Sequence, residues 1–311
     1  MAVHLLYDPA FLKHDTGVMH YENAHRLECI LKALNADKFL NGKLQRRSPR
    51  AATEQDLLRC HDAEMIHAIQ AYIERGGSQL DSDTAVSAES FNVACLAAGA
   101  AMTAVDAVMA EEGGRAFALI RPPGHHATPH KPMGFCLFNH AAIAARYAQA
   151  VHGINTVLII DWDVHHGNGT QDIFWKDKTV FYFSTHQSPH YPGTGARDEA
   201  GDGAGTGFTL NIPLPARTSA TAHREVFRAA LKDIESRFHP DLVIISAGFD
   251  AHRDDPLGNL MLEDTDFAEM TKDALRIAET HSRGRVVSLL EGGYNLDLLG
   301  GSVQSHLNAL L

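Results

Sequence analysis

The sequence predicts a three-layer α/β fold across residues 1–311, with a mainly parallel central sheet flanked by helices. Three observations predict it. Short β-prone apolar runs alternate with segments of helical periodicity, which implies parallel strands joined by right-handed crossovers. Polar clusters follow several of those runs at once, as they do where an open sheet gathers ligands at its carboxyl edge. No internal repeat, low-complexity tract or long linker interrupts the pattern, so one domain is expected.

The elements follow in chain order. Strands are expected at Val3–Tyr7, Ala116–Ile120, Val157–Asp161, Val180–Ser184, Leu242–Ala247 and Arg285–Leu290, with a further one at Gly207–Ile212. Helices are expected at Ala24–Leu34, Ala63–Glu74, Ser87–Ala110, Ala141–Val151, Thr221–Phe238, Thr265–Ser282 and Leu296–Leu310. The Ala-rich run Val93–Ala110 comes nearest to a membrane span, but Thr103 and Asp106 interrupt it and alanine is weakly apolar. A buried helix is the expectation there. Gly193–Gly207 is expected to be a loop.

Composition narrows the function. The chain is 45% hydrophobic and 21% charged, ordinary values for a globular protein with a sizeable core. A formal net charge of -11 argues against direct nucleic-acid binding through phosphates and mildly favours cationic substrates. Cys29, Cys60, Cys95 and Cys136 have no CxxC spacing, so reduced thiols are expected. The first residues lack a basic stretch followed by an apolar core, and a cytoplasmic location is expected.

The chemistry concentrates after the strand Val157–Asp161, in Asp161-Trp-Asp163-Val-His165-His-Gly-Asn168-Gly169. Side chains two apart in an extended segment share a face, so Asp161, Asp163 and His165 begin on one side. Such a group is costly to bury without a cation or hydrogen bonds. A hydrated loop is the bland alternative, but it has no need for Trp162 and Val164 between the acids. Asp250, after the strand Leu242–Ala247, supplies a second carboxylate, although acids there often cap helices. Asp163, His165 and Asp250 together suit zinc and leave a position open for water.

Other strand ends contribute further groups. His125 and His126 follow Pro122-Pro123-Gly124, and one of them fits a general base while the other stabilises developing charge. Asp161 and Asn168 are natural partners that fix their tautomers. Tyr294, between Gly293 and Asn295, fits a hydrogen-bond donor to a substrate carbonyl, with core packing as the alternative. Phe135, after Gly134, and Tyr191 are candidate walls of a narrow apolar channel.

Together these segments resemble the histone deacetylase superfamily, through nearly the whole chain in order. The matching pieces are His20–Arg26, Asp83–Ser87, Arg121–Ala127, Met133–Cys136, Asp161–Gly169, Pro192–Gly195, Gly248–Asp250 and Gly292–Asn295. Asn168 and Glu291-Gly-Gly-Tyr look more like class II-type enzymes and bacterial deacetylase-like amidohydrolases than class I. The resemblance implies an arginase-like fold and a zinc-dependent hydrolase acting on acetyl-lysine, in proteins or peptides. It makes Asp163, His165 and Asp250 the zinc ligands, His126 the general base and acid, and His125 its electrostatic partner. Asp161 would orient His125, Asn168 would contact His126, and Tyr294 would polarise the acyl carbonyl. The implied substrate-binding set is Asp83, Gly134, Phe135, Tyr191, Leu257 and Gly293, with Arg26 near an acetate exit. Potassium is implied around Asp161, Asp163, His165, Ser184 and Thr185.

Two departures bear on function. Asn168 stands where class I relatives have an acid. The segment His186–Gly195 is shorter than in many relatives, which bears on the second channel aromatic. Polyamine-selective relatives carry an acid where this chain has Leu257, so acyl-lysine is favoured over acetylpolyamine or another small acylated amine. A silent acyl-lysine reader is the alternative of another class, against which Tyr294 argues. A two-manganese ureohydrolase of the same fold would need carboxylates that His165-His166-Gly167-Asn168 does not provide.

Overall fold

The computed structural model describes residues 2–311 and contains one eight-stranded sheet. In chain order its strands are β1 (Val3–Leu6), β2 (Leu44–Arg47), β3 (Arg115–Ala118), β4 (Val157–Asp161), β5 (Val180–Gln187), β6 (Thr209–Leu214), β7 (Leu242–Ala247) and β8 (Val286–Leu290). They lie in the order β2-β1-β3-β8-β7-β4-β5-β6, and every pairing is parallel. All the carboxyl ends therefore point the same way. Strands β3, β8, β7 and β4 are central neighbours, and they precede the four polar clusters.

Burial on both faces explains why the central strands read as continuous apolar runs. Val157, Leu158, Ile159 and Ile160 of β4, and Leu242–Ile245 of β7, have no exposed surface. One layer packs helices Ser90–Met109 and His140–His152 together against β1, β3, β8 and β7. The other joins helices Ala220–Arg237, Asp264–His281, Leu299–Leu310 and His25–Ala36 in sequence, with contacts to β6 and β7. The helix Ser90–Met109 has the length and apolar character of a membrane span, yet it is largely enclosed by its neighbours. Trp162 turns away from the acids beside it and packs against Phe227 and His306 of the helical layer.

Several boundaries differ from the sequence expectation. β1 ends at Leu6 rather than Tyr7, β3 spans Arg115–Ala118 rather than Ala116–Ile120, and β5 runs three residues further, to Gln187. The edge strand β6 lies at Thr209–Leu214 rather than Gly207–Ile212, because Gly207 has φ +84° and belongs to a turn. Edge strand β2, Leu-Gln-Arg-Arg, is mostly exposed and carries no apolar alternation to betray it. The short helix Asn168–Phe174 was also unexpected; it begins directly at the polar cluster.

Candidate active site

At the end of β4 the chain places Asp163 and His165 opposite Asp250 from the end of β7. One potential ligand atom from each lies within 4.8 Å of the others. Asp163 Oδ1 accepts the His165 backbone N–H at 2.9 Å, Asp163 Oδ2 accepts Gly292 N–H at 2.8 Å, and Asp250 Oδ1 accepts Val164 N–H at 2.9 Å. Asp250 Oδ2 is buried 3.2 Å from His165 Nδ1 and lacks a well-aligned hydrogen bond. Burial, then the neighbouring Asp163, pushes the Asp250 carboxyl up to about 7. Burial opposes the His165 cation, but Asp163 and Asp250 outweigh it and lift that imidazole to about 10. The cluster calls for positive charge at its centre.

The backbone leaves room for that charge. A Cβ on Gly292 would lie 2.0 Å from Asp250 Oδ2, and one on Gly248 would lie 2.1 Å from Asp163 Oδ2. Any side chain at either position would clash with the carboxylate oxygens of Asp250 or Asp163. Two carboxylates, one of them with an orphaned oxygen, and one imidazole fit a small divalent cation with an open position.

 The other strand ends close around this cluster. His125 Nδ1–H donates to Asp161 Oδ2 at 3.0 Å, and the Tyr182 hydroxyl donates to the same oxygen at 3.0 Å. Burial disfavours the His125 cation, yet Asp161 and Asp163 prevail and raise it to about 10. His126 is different. Its Nδ1–H donates to the neutral Asn168 Oδ1 at 2.9 Å, while burial, then His125 and His165, hold it well below the usual imidazole range. One imidazole is thus a fixed positive charge, and its neighbour, 4.0 Å away between ring centres, is neutral with Nε2 free to accept a proton.

Glu291 secures the loop bearing both histidines. Its Oε2 accepts Gly124 N–H at 2.7 Å and His125 N–H at 3.1 Å, and its Oε1 accepts the Ser246 hydroxyl at 3.0 Å. Tyr294 is buried, with its backbone N–H bonded to Asp255 Oδ2 at 2.7 Å and its ring 4.8 Å from the Arg26 guanidinium. Above them opens a cavity of about 230 Å³, walled by Phe135, Tyr191, Leu257, Pro123 and His190, with Asp83 and Gly134 also lining it. Gly134 has φ +57°, and a Cβ there would sit 2.4 Å from the His126 ring, so the wall needs glycine to lie this close.

Not every expected residue reaches the cavity. Gly293 is outside its lining; its carbonyl accepts Arg26 Nε–H at 2.7 Å instead. Arg26 is fully buried beneath Tyr294 and also bonds Glu22 and the Glu291 carbonyl. Of the residues expected around potassium, Ser184 is bonded through Oγ to His186 Nδ1 at 2.8 Å, and Thr185 Oγ1 is buried without a partner. Sequence reasoning missed Glu291, Asp255, Tyr182 and His190 as site residues. Glu291 carried a signal, since it directly follows β8 as the other polar groups follow their strands. Asp255 and Tyr182 become relevant only through tertiary contacts.

A sequence model described as the histone deacetylase domain matches residues 20–310. The chain belongs to the histone deacetylase family. It is 42% identical to "Histone deacetylase 14, chloroplastic" of Arabidopsis thaliana, over 94% of this chain and 73% of that protein. It is 40% identical to a "Histone deacetylase-like amidohydrolase" of Pseudomonas aeruginosa, over 85% of this chain and 70% of that one. The crystal structure of the HDA15 HD domain superposes with a TM-score of 0.92 at 37% identity, covering 99% of this chain and 88% of that chain. The fold found here is therefore that of the histone deacetylase family, with the candidate site at the carboxyl edge of the sheet.

Proposed function

We propose that this protein is a zinc-dependent deacetylase that hydrolyses the amide of N6-acetyl-lysine in proteins or peptides and releases acetate. The observation that carries the reading is the Asp163–His165–Asp250 cluster facing neutral His126 and the Tyr294 phenol beneath a slot with apolar walls. Zinc held by those three residues would supply Lewis acidity at the acyl carbonyl and at a water whose pKa falls toward about 7.

The chain's own groups do the rest. Phe135, Tyr191 and Leu257 enclose the aliphatic arm of the substrate and exclude water from it. His126 Nε2 accepts a proton from water as the water oxygen attacks the acyl carbon. The Tyr294 hydroxyl donates to the oxygen that becomes negative, and the His125 cation, held by Asp161, balances charge nearby. His126 then delivers its proton to the amide nitrogen, the C–N bond breaks, and acetate and free amine leave.

Leu257 in the lining, with no acid at that position, favours acyl-lysine over a polyamine. The test compares kcat/KM for an acetyl-lysine peptide with that for acetylputrescine. Preference for the peptide is expected; preference for acetylputrescine would replace lysine by polyamine, and tight binding of the peptide without turnover would make the protein a reader.

A further inference from the structure

The segment Asp255–Asn259 forms a strap across one wall of the slot, tied at both sides. On the catalytic side, Asp255 Oδ1 accepts Leu257 N–H at 2.9 Å, while its Oδ2 accepts the backbone N–H groups of Tyr294 at 2.7 Å and Asn295 at 3.3 Å. On the far side, Asn259 N–H donates to Gln187 Oε1 at 2.8 Å, and the Asn259 carbonyl accepts Arg217 N–H at 2.6 Å. Between these ties, the Leu257 carbonyl receives His190 Nε2–H at 2.8 Å.

His190 is itself held in place. Its ring stacks on His165 with centres 4.8 Å apart and planes 19° apart, and its carbonyl accepts Gly193 N–H at 2.9 Å. Leu257 and His190 both line the slot. The imidazole therefore spans the gap between two loops, stacked on His165 and bonded to the Leu257 carbonyl.

We infer that His190 is a specificity-determining residue, which restricts the slot to slender, unbranched acyl-amine chains by pinning Leu257. The inference rests on the proposed deacetylase activity and deepens it. Asp255 anchors Tyr294 independently of His190, so loosening the His190 bond widens the slot without displacing the phenol. A narrow apolar site separates ligands differing by one methyl group by roughly tenfold or more, so a modest release of the wall is measurable as a change in selectivity.

The test uses His190→Phe, which keeps a flat ring over His165 but removes the donor, and His190→Gln, which keeps an N–H at similar reach. The ratio of kcat/KM for a peptide whose acetyl-lysine carries one methyl branch on its side-chain methylenes to that for the acetyl-lysine peptide is measured for each, with hydrogen exchange at Leu257 and Asn259. In His190→Phe the ratio is expected to rise about tenfold through a lower KM for the branched substrate, with faster exchange at both amides. In His190→Gln the ratio and the exchange are expected to stay within about twofold of the unaltered protein. An unchanged ratio and exchange in His190→Phe, or equal shifts in both variants, would overturn the inference. If the unaltered protein hydrolyses neither substrate, the deacetylase reading fails, and the exchange measurement still decides whether His190 pins the wall.

Discussion

Tyr294 and His126 owe their chemistry to opposite sides of the same physical effect. Burial pushes the Tyr294 phenol well above its ordinary range, and the Arg26 guanidinium only partly offsets this, so the hydroxyl stays protonated and able to donate. Burial and two neighbouring imidazoles keep His126 neutral, and Asn168 fixes its tautomer without adding a charge that would hold the proton. Removing only the phenol oxygen isolates its contribution. Tyr294→Phe is expected to lower kcat by roughly 10²–10³-fold, with zinc content and melting temperature unchanged. Steady-state kinetics beside metal analysis checks this, and retention of full kcat would remove the phenol from the mechanism.

At the level of elements, the helix Ser90–Met109 lies so close to the preceding loop that Gly99 touches backbone. A Cβ at Gly99 would be 1.7 Å from the Arg50 carbonyl oxygen. Helix propensity alone would make Gly99→Ala stabilising, but the contact reverses the sign, and a loss of about 1–3 kcal/mol is expected. Urea denaturation of the variant measures it; a gain in stability would mean that the loop does not rest there. The same kind of contact explains what was legible in the sequence. Buried strands such as Val157–Asp161 and Leu242–Ala247 announced themselves because both faces are apolar, and Asp163, His165 and Asp250 stood out directly after them. The edge strand Leu44–Arg47 has no such face, and its pairing with β1 supplies its order. Asp255 and His190 were illegible as site residues because their roles are backbone hydrogen bonds to distant segments.

Across the whole molecule, buried histidines tie stability to pH. Burial holds His14, His61, His140 and His223 down to about 4 in the folded chain, against 6.5 for the free group. The unfolded chain therefore binds more protons between those values. This contribution to stability is complete above about pH 6.5 and is lost as pH falls toward 4, by up to about 1.4 kcal/mol per pH unit for each group. Urea midpoints are expected to fall steadily from pH 7 to pH 5, and a flat profile would contradict the assignment. His223, with neither ring nitrogen bonded, offers a sharper case. His223→Leu is expected to reduce that slope and to stabilise the fold by about 1 kcal/mol at pH 6, as the same urea titration would register.

The proposed hydrolysis depends on one divalent ion gathered by three strand-end side chains. The most direct measurement is a zinc titration of metal-stripped protein, followed by turnover of an acetyl-lysine peptide, with Asp250→Ala alongside. Activity is expected to rise from baseline and level off at one zinc per chain, and to stay at baseline in Asp250→Ala. Full turnover without metal, a plateau at two ions, or undiminished activity in Asp250→Ala would contradict it.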